Sequence, residues 1–566
     1  MRTGGISVDV GEMQTKLSRW AEAERSRVFD DLYNLLYQED WLKAAHARVR
    51  QNAGSRTAGC DGVNMRSFED NLEGNLLRLR EDLKRGRFEP QPVRRTYIRE
   101  VKAGGRIKMR PLGIPALRDR IVQEALRMVL EPIWEADFSR HSYGFRPNRS
   151  TKDAVAYLGS RLTTRKSTGY GWIVEGDIQS FFDTIDHRKL MQLVKNRITD
   201  KKILSLIWKF LRAGIMEQGN LRHPLIGTPQ GGIVSPLLAN IYLHEMDTYM
   251  ERYTALGEVE RSKRKRQGRA NFLYARYADD FVVLCDGRKE QAEILRQELY
   301  EYLEQELKLA LSMEKTQVTH VSEGFEFLGY RIDRNIAGSG KWAPRIRIPA
   351  KAVEKVRGNI RAAVSPDTHK DSVRTKILGL NRIIGGWCRY YQMSSSPSSY
   401  FNKLDYETFW LMAHWLGRKY QMSIPRVMPR YRKGNTFGTS RVTLERASDY
   451  KAKRHRLRTI ANPYTSQDAI MLRENLDGLA EAWRGAEEQK GHRDRKEVVY
   501  QRDEGICGIC GNVAAWVEAD LDHRIPRHQF KPPESGDTMD NVWIVHRKPC
   551  HQMKTKRDLL GGRRVR

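Results

Sequence analysis

The tetrapeptide Tyr277-Ala278-Asp279-Asp280 lies between two apolar runs, at residues 272–276 and 281–285. Two β-rich segments that meet at a tight turn predict a β-hairpin with paired carboxylates at its tip. Adjacent carboxylates repel each other, so a bound cation is one interpretation of the pair and a solvated Asp-Asp turn is the other. The pair alone does not decide between them.

A third acidic site upstream favours the cation. Residues 172–178 are predicted to form a short apolar strand that carries Asp177 near its end, followed closely by Asp183. Two-metal phosphoryl transfer uses hard carboxylate oxygens to hold two Mg²⁺ ions, which activate a 3′-hydroxyl and stabilise the leaving pyrophosphate. Asp177, Asp279 and Asp280 are therefore the predicted catalytic magnesium ligands.

Other short motifs lie before, between and after these two acidic sites. In chain order they occupy residues 58–62 (AGCDG), 110–115 (RPLGIP), 119–123 (DRIVQ), 142–147 (SYGFRP), 228–232 (TPQGG) and 327–330 (FLGY). In this order, and with the two Asp motifs, they resemble the motifs of group II intron-encoded reverse transcriptases, also called maturases. Each string alone is weak, but the ordered series is specific, and the resemblance extends from about residue 58 to the C-terminus.

The resemblance implies an α/β multidomain protein: a right-hand polymerase with fingers and palm, an α-helical thumb and a small ββα-metal HNH nuclease module. The predicted divisions are 1–57 for an N-terminal helical extension, 58–335 for fingers and palm, 336–425 for the thumb or maturase domain X, 426–492 for a DNA-binding region and linker, and 493–566 for the HNH endonuclease.

The resemblance also implies roles for residues around the carboxylates. Phe182 lies where reverse transcriptases place a bulky residue under the sugar, so dNTPs should be favoured over rNTPs, although Phe181 or Phe182 also suits the core. Gln230 is expected along the template–primer end, where flanking glycines permit close backbone approach. Lys315 matches the lysine that protonates pyrophosphate, and a solvent-exposed lysine is the alternative.

Arg110 is expected to bind the incoming triphosphate. Most family members read Ile-Pro-Lys shortly before Arg-Pro-Leu, whereas this chain has an apparent two-residue insertion there. The second phosphate contact is assigned to Lys108, with Lys102 and Arg106 as alternatives.

The charge of the chain is concentrated in one region. The 566 residues carry a net charge of +30, and residues 341–460 hold 26 Lys and Arg against 7 Asp and Glu, a net of +19. Such an excess favours a polyanionic partner through phosphate contacts and counterion release. Basic residues interleaved with aromatic ones suit nucleic acid, although core packing also explains tryptophans in this region.

Two palm segments are predicted from their periodicity and charge. Ala292, Leu295, Leu299, Tyr302 and Leu303 recur at helical spacing and predict the core face of an amphipathic helix. Residues 258–270 form a basic, polar stretch, interpreted either as a solvated loop or as a mobile insertion that touches structured RNA. Helical periodicity also appears at 14–50 and from about 340 to 425.

The cysteine content and the hydropathy of the chain indicate the cellular compartment of the protein. Six cysteines are too few and too scattered for a disulfide framework. There is no apolar run of 18 residues, and residues 1–13 lack the apolar core of a signal peptide. We therefore expect no membrane partner and a bacterial cytoplasmic, nucleoid-associated location.

The C-terminal region resembles the HNH endonucleases. Asp522 and His551 are expected to hold one Mg²⁺ or similar ion on the scissile phosphate, with His523 as the general base and Asn541 as a brace for its loop. The alternative is a structural zinc knuckle that binds DNA without cutting it.

A zinc site is predicted beside that nuclease centre. Cys507 and Cys510 form a CxxC pair, and Cys550 follows forty residues after the second of them, a pattern that fits thiolate binding of Zn²⁺. Related nucleases place the fourth ligand where this chain has Arg547, so His546 is the predicted fourth ligand and an open or lost site is the alternative.

The predicted function is that of a mobile group II intron protein. The resemblance implies binding of intron RNA, assistance of splicing, nicking of target DNA by the HNH module, and cDNA synthesis with dNTPs from the freed 3′-hydroxyl. Two rival hypotheses are a maturase that only binds RNA and has lost polymerisation, and a reverse transcriptase of another retroelement class.

Overall fold

The computed structural model describes residues 9–52, 54–101, 107–163, 169–217, 220–222, 227, 231–312, 316–336 and 342–466. Beyond these it describes 503, 507, 509–510, 512, 519–523 and 542–546. The chain divides into two units, Met1–Ser466 and Gln467–Arg566. The predicted five-part division is not tested by this and stays a prediction.

Helices open the first unit: α1 (Val10–Ala23), α2 (Tyr33–Leu36), α3 (Glu39–Gln51), α4 (Met65–Glu69) and α5 (Leu72–Lys84). Helix α1 begins where the Asp9 side chain accepts the backbone N–H of Glu12 at 2.7 Å, a typical N-cap. Trp41 of α3 is fully buried, and its indole N–H donates to the carbonyl of Ala125 at 3.0 Å. The helical pattern predicted over 14–50 is confirmed.

In the region predicted to form fingers and palm, α4 and α5 are followed by β1 (Val93–Val101), β2 (Ile107–Ile114), α6 (Leu117–Glu135) and α7 (Thr151–Leu162). Strands β1 and β2 are antiparallel, from Arg94 opposite Ile114 to Val101 opposite Ile107. Helix α6 is buried on nearly all sides and forms the centre around which the N-terminal helices pack.

The chain continues with β3 (Trp172–Asp177), α8 (Phe181–Thr184), α9 (His187–Lys195) and α10 (Lys201–Arg212). Next come β4 (Ile215–Glu217) and β5 (Asn220–Arg222), which extend the sheet of β1 and β2 in the order β2-β1-β4-β5. They are followed by α11 (Ser235–Thr254), α12 (Glu258–Arg266), β6 (Phe272–Tyr277), β7 (Asp280–Cys285), α13 (Lys289–Leu307) and β8 (Val318–His320). The palm sheet is antiparallel with the order β6-β7-β3-β8.

The predicted core face of α13 is confirmed, since Ala292, Leu295, Leu299 and Leu303 are buried, while Tyr302 is half-buried. The basic segment after α11 is a short helix rather than a loop, and α12 has no buried residue. Its first turn carries Glu258 and Glu260 and its last turn carries basic residues, a charge order that stabilises a helix through its dipole.

A second antiparallel sheet, β9 (Phe325–Phe327), β10 (Tyr330–Ile336) and β11 (Trp342–Arg347), leads into the thumb helices α14 (Ala350–Ala363), α15 (Val373–Tyr391), α16 (Ser398–Tyr420) and α17 (Ile424–Tyr431). Helices were expected from about 340, but the region starts with β11, because residues 342–347 pair along β10. A small hairpin of β12 (Arg432–Lys433) and β13 (Thr436–Phe437) follows.

Residues 451–466, here called the strap, contain no helix or strand and are fully described. In the second unit, β14 (Ala519–His523) pairs antiparallel with β15 (Val542–His546). Within the part of the chain that the structure describes, none of the helices is both long enough and apolar enough to cross a bilayer.

Candidate active site

The hairpin that carries Asp279 and Asp280 is formed by β6 and β7. Tyr277 and Asp280 are its last register pair, so Ala278 and Asp279 make the turn. Ala278 has a φ of 57°, in the left-handed region that tight hairpin turns of this type require. The hairpin predicted from the sequence is confirmed, with Asp279 at its tip.

Asp177 lies opposite Asp280 on the neighbouring strand. The β3–β7 register pairs Asp177 with Asp280 and Gly176 with Phe281. Directly opposed residues of an antiparallel pair have Cβ atoms about 4.5–5.5 Å apart and point to the same face. The strand ends therefore bring two of the three predicted carboxylates side by side, with the third one residue away.

The backbone beyond Asp177 is fixed by its neighbours. The backbone N–H of Ser312 donates to the carbonyl of Asp177 at 2.9 Å, and that of Ile178 donates to the carbonyl of Asp279 at 3.4 Å. The second bond ties the end of β3 to the hairpin turn itself, and the first ties it to Ser312.

Among the residues that the structure describes, no three His, Cys, Asp or Glu side chains form a ready-made ion cage. Mg²⁺ seldom needs one, because it keeps several waters and is usually held by one or two carboxylates together with substrate phosphates. Asp177 and Asp280 at opposed positions, with Asp279 adjacent, fit that donor requirement. The acidic strand ends are thus compatible with divalent ions that complete their shells from substrate and water.

The loop at residues 142–147 packs directly on the turn. A Cβ atom at Gly144 would lie 2.3 Å from the backbone nitrogen of Ala278, so only glycine permits this approach. Arg146 anchors the loop through a buried bidentate pair with Glu135, at 2.9 Å for each nitrogen–oxygen contact. One nitrogen of Arg146 also donates to the carbonyls of Ser139 and Ser142.

Two phenylalanines lie in α8, the short helix that follows Asp177 in the chain. Phe181 is 1% exposed and is the core residue of the Phe pair, packing on Tyr242. Phe182 is half-buried and meets the exposed ring of Phe145 edge-on, with centroids 6.1 Å apart. Phe145, in the 142–147 motif, was not assigned a role from the sequence, and its exposed ring beside Phe182 makes it a further candidate for substrate contact.

Arg110 lies on β2 opposite Ile98 and is exposed. The carbonyl of Gly113 on the same strand would be 2.1 Å from a Cβ atom at Gly231, so the backbone at Gly231 lies against β2. In the adjacent 119–123 motif, burial raises the pKa of Asp119 to about 7, although its carboxylate accepts the backbone N–H of Gln91 at 2.7 Å.

The 327–330 motif is the turn between β9 and β10, with Leu328 and Gly329 both in the left-handed region. The thumb helix α15 holds this turn: the hydroxyl of Tyr390 donates to the carbonyl of Leu328 at 2.6 Å, and that of Tyr391 to the carbonyl of Gly329 at 3.2 Å. The ring of Tyr330 stacks on that of Tyr390 at 5.3 Å. The motif thus joins palm and thumb.

In the second unit, Asp522 pairs with Trp543 and His523 with Val542 at one end of the β14–β15 hairpin, while His546 lies at the other end opposite Ala519. Cys507 is buried with Val545, the neighbour of His546. The backbone N–H of Cys507 donates to the carbonyl of Asn512 at 2.8 Å, which closes a turn that contains Cys510.

Several predicted residues lie outside the described residues: Lys102, Arg106, Gln230, Lys315, Asn541, Cys550 and His551. For Lys108, Asp522, His523 and His546 the strand position is described and the side chain is not. Their assigned roles stay predictions.

An antiparallel palm sheet with an Asp-bearing hairpin, an opposed Asp on the next strand and a helical thumb defines a nucleic-acid polymerase of the right-hand class. Residues 101–332 match the family model of reverse transcriptase (RNA-dependent DNA polymerase), and residues 353–432 match the maturase-specific domain of group II introns.

Relatives agree with these matches. Protein YkfC of Escherichia coli is 41% identical over 370 residues, which cover 62% of this chain and 96% of that protein. The group II intron-encoded protein LtrA of Lactococcus lactis subsp. cremoris is 34% identical over 460 residues, 69% of this chain and 74% of that protein. A protein of Arabidopsis thaliana named nuclear intron maturase 1, mitochondrial, is 26% identical over 298 residues, which cover 39% of this chain and 41% of that protein.

The chain belongs to the family of group II intron-encoded reverse transcriptases, or maturases. RNA-directed DNA polymerisation and maturase function are the activities of this family, and the maturase-specific domain decides against a reverse transcriptase of another retroelement class.

Proposed function

We propose that the chain copies intron RNA into DNA with dNTPs at a two-magnesium site held by Asp177, Asp279 and Asp280. The observation that carries this proposal is the register that sets Asp177 opposite Asp280 beside the Asp279 turn. Mg²⁺ bound there would activate the primer hydroxyl and neutralise charge on the leaving pyrophosphate.

The surrounding residues would select and orient the nucleotide. Phe182, with Phe145 at its edge, would leave no room for a ribose 2′-hydroxyl and so favour dNTPs. Arg110 and Lys108 would bind the triphosphate as cations. Gln230 would contact the template–primer end, and Lys315 would protonate the leaving pyrophosphate.

Primer extension on an RNA template tests this assignment. Wild type should extend with Mg²⁺ and dNTPs and poorly with rNTPs, and Asp279→Ala should extend at least about 10³-fold more slowly, since losing a metal ligand removes several kcal/mol of transition-state stabilisation. Glu290→Ala, an exposed carboxylate on α13, is the matched control and should extend normally. Absence of extension by folded, RNA-binding wild type would favour the splicing-only hypothesis.

Intron RNA is the proposed partner of the thumb and the segment after it. The support is the net charge of +19 over residues 341–460, together with the exposed aromatic residues Tyr406 and Trp410 of α16. Binding that neutralises many phosphates should weaken steeply with salt, which a filter-binding titration against intron RNA between about 50 and 200 mM salt would measure.

The second unit is proposed to be an HNH endonuclease that nicks target DNA and so frees the primer for cDNA synthesis. Support comes from the sequence pattern and from the position of Asp522 and His523 at one end of the β14–β15 hairpin. His523 would activate water, Asp522 and His551 would hold one divalent ion, and Asn541 would brace the loop. His523→Ala should abolish DNA nicking and spare extension of an annealed primer, whereas loss of both activities would contradict two separate sites.

A structural Zn²⁺ held by Cys507, Cys510, Cys550 and His546 is proposed beside it. The burial of Cys507 against Val545, the neighbour of His546, supports this assignment. Metal analysis of the purified protein should give one zinc per chain, and Cys510→Ser should lose it. A bacterial cytoplasmic, nucleoid-associated site of action would follow from the intron RNA and DNA partners.

A further inference from the structure

Arg276 is a charged side chain with no exposed surface, directly beneath the hairpin turn. Its Nε donates to Oδ1 of Asp247 at 2.8 Å and one Nη to Oδ2 at 2.5 Å, so the two side chains form a bidentate pair. Burial acts to lower the pKa of Arg276, but the Asp247 carboxylate outweighs it and holds the pKa above its usual value. The guanidinium is therefore charged and oriented.

The other Nη of Arg276 points to the turn. It donates to the backbone carbonyl of Ala278 at 3.0 Å and to Oδ1 of Asn240 at 3.1 Å. Ala278 precedes Asp279, and its positive φ is a conformation that non-glycine residues adopt only when their surroundings impose it. The guanidinium supplies a partner for the carbonyl that this conformation presents.

Arg276 also joins the turn to the 142–147 loop. Its backbone N–H donates to the carbonyl of His141 at 2.9 Å, and its carbonyl accepts the N–H of Tyr143 at 2.8 Å. Asn240, held by the guanidinium, donates its amide N–H to the carbonyl of Gly144 at 2.8 Å. Gly144 is the residue that presses on Ala278 from the other side.

A fully buried ion pair is weak evidence for a contribution to stability, because well-packed apolar residues of similar volume often serve as well or better. The Arg276–Asp247 pair has no exposed surface, and its spare donor is directed at the turn that carries Asp279. The presence of the pair is therefore better explained by its effect on the geometry of that turn than by a contribution to stability. The planar fork can satisfy Asp247, Asn240 and Ala278 simultaneously, which a lysine ammonium cannot.

We propose that Arg276, fixed by Asp247 and Asn240, is a positioning residue of the polymerase: its guanidinium holds the Ala278 carbonyl and thereby sets the orientation of Asp279. This rests on the proposed role of Asp279 as a magnesium ligand. Arg276 contacts neither substrate nor metal in this role, and acts through the turn.

The test compares two variants with wild type in steady-state primer extension on an RNA template. Arg276→Lys keeps the charge opposite Asp247 and loses the fork. The double variant Arg276→Met with Asp247→Leu removes the buried pair without leaving a lone charge. A misplacement of about 1 Å costs on the order of 10²-fold in rate, so kcat should fall by about that factor in both variants. The Mg²⁺ concentration for half-maximal rate should rise, and KM for primer–template should not change.

Arg197→Lys is the control for a change at a buried arginine, because Arg197, between α9 and α10, is 4% exposed and pairs with Asp137 at 2.6 Å through a single nitrogen rather than a fork. It should lower the unfolding midpoint and leave kcat and the Mg²⁺ requirement of the folded enzyme unchanged.

The outcomes separate the two proposals. If wild type shows no Mg²⁺-dependent extension, the polymerase assignment itself fails. If wild type extends and Arg276→Lys behaves like Arg197→Lys, with lower stability but unchanged kcat and Mg²⁺ requirement, the positioning role is overturned. Should the double variant fail to fold, Arg276→Lys alone decides.

Discussion

The hairpin of β6 and β7 and the strap at residues 451–466 are both held firmly, but by different means. The hairpin has a backbone ladder of six register pairs from Phe272–Cys285 to Tyr277–Asp280. The strap has no strand or helix, and its side chains bond to residues far away in the chain. His455 and Asp153 are separated by 302 residues, and Asn462 and Ser18 by 444.

The strap runs across three regions of the first unit. Near its start, the backbone N–H of Lys453 donates to the carbonyl of Gln392, just after α15, at 2.8 Å. His455 and Arg458 then bind Asp153 in the first turn of α7, at 2.8 and 3.1 Å. Near its end, the strap forms hydrogen bonds with two helices, through Ser18 and Glu22 of α1 and Glu131 of α6.

A strand ladder and a set of separate side-chain bonds respond differently to a local change. A ladder inside a packed sheet is cooperative, so a local clash displaces the whole element, whereas independent side-chain bonds are lost one at a time. The hairpin should therefore fail as a unit, and the strap should loosen in steps.

Gly176→Ala should have the largest effect, because Gly176 of β3 is paired with Phe281 of the hairpin strand β7 and the substitution disrupts that pairing. The new Cβ atom would lie 2.0 Å from Cζ of Phe281, whose side chain is 1% exposed and has no room to retreat. Overpacking of this kind costs about 1–3 kcal/mol, and the displaced strand ends should abolish primer extension. Urea unfolding and extension assays measure the two effects.

Gly358→Ala on α14 is the matched control for that substitution. Among the described residues, no atom outside the helix's own backbone lies within 4 Å of the place that a Cβ atom would take at Gly358. Alanine should therefore stabilise the helix by about 0.4–1 kcal/mol. An unchanged unfolding midpoint for Gly176→Ala would show that the sheet tolerates local displacement. It would contradict the expectation that the hairpin fails as a unit.

Tyr464→Phe should have an intermediate effect, confined to the strap. The hydroxyl of Tyr464 donates to Oε2 of Glu131, whose other oxygen binds Arg127 at 2.6 Å. Leaving an acceptor on a buried residue such as Glu131 without its partner costs about 1–3 kcal/mol. The unfolding free energy should fall by that amount, and trypsin should cut the basic strap faster.

Tyr406→Phe is the control, because Tyr406 is 68% exposed. Loss of its hydroxyl group should change neither the unfolding free energy nor the rate at which trypsin cuts the strap. If Tyr464→Phe left the cleavage rate of the strap at the wild-type value, the anchor would have to lie elsewhere along the segment.

The contrast between a local strand ladder and long-range side-chain contacts also explains which features could be predicted from the sequence. Alternating and apolar runs around Asp177 and Asp279 specify strands and a tight turn, so the carboxylate positions followed from local pattern. The partners of Arg276 lie 29 and 36 residues away, at Asp247 and Asn240 on α11, and no local signal marks them as one network.

The long-range side-chain contacts of the strap could not be predicted from the sequence either. Its run of basic residues suggested a nucleic-acid face, and nothing in that run indicated a bond from His455 to Asp153, whose side chain completes the capping box at the start of α7. The charge run at residues 258–270 was interpreted as a solvated loop or as a mobile insertion that touches RNA, and neither interpretation predicted the helix α12, which the order of the charges favours.

The smallest expected effect concerns the pH dependence of the strap. Burial acts to raise the pKa of Asp153, but hydrogen bonds from Ser150, His455 and Arg458 outweigh it and lower the pKa below its ordinary value of 3.8. A carboxyl group with a lowered pKa in the folded state stabilises the fold at higher pH, and that stabilisation is lost as the pH falls through the folded-state pKa. The strap should therefore stay closed from pH 7 to 5 and loosen only below about pH 4.

Amide hydrogen exchange of the strap, corrected for the intrinsic pH dependence, measures this. Asp153→Asn should show at pH 7 the faster exchange that wild type shows in acid, by about two- to fivefold, because Arg458 is partly exposed and exposed charge pairs contribute little. Asp367→Asn on the thumb is the control and should not alter strap exchange. Since Asp153 also caps α7, its loss could act through that helix alone; faster exchange in α7 with an unchanged strap would show that the His455 and Arg458 contacts do not hold the segment.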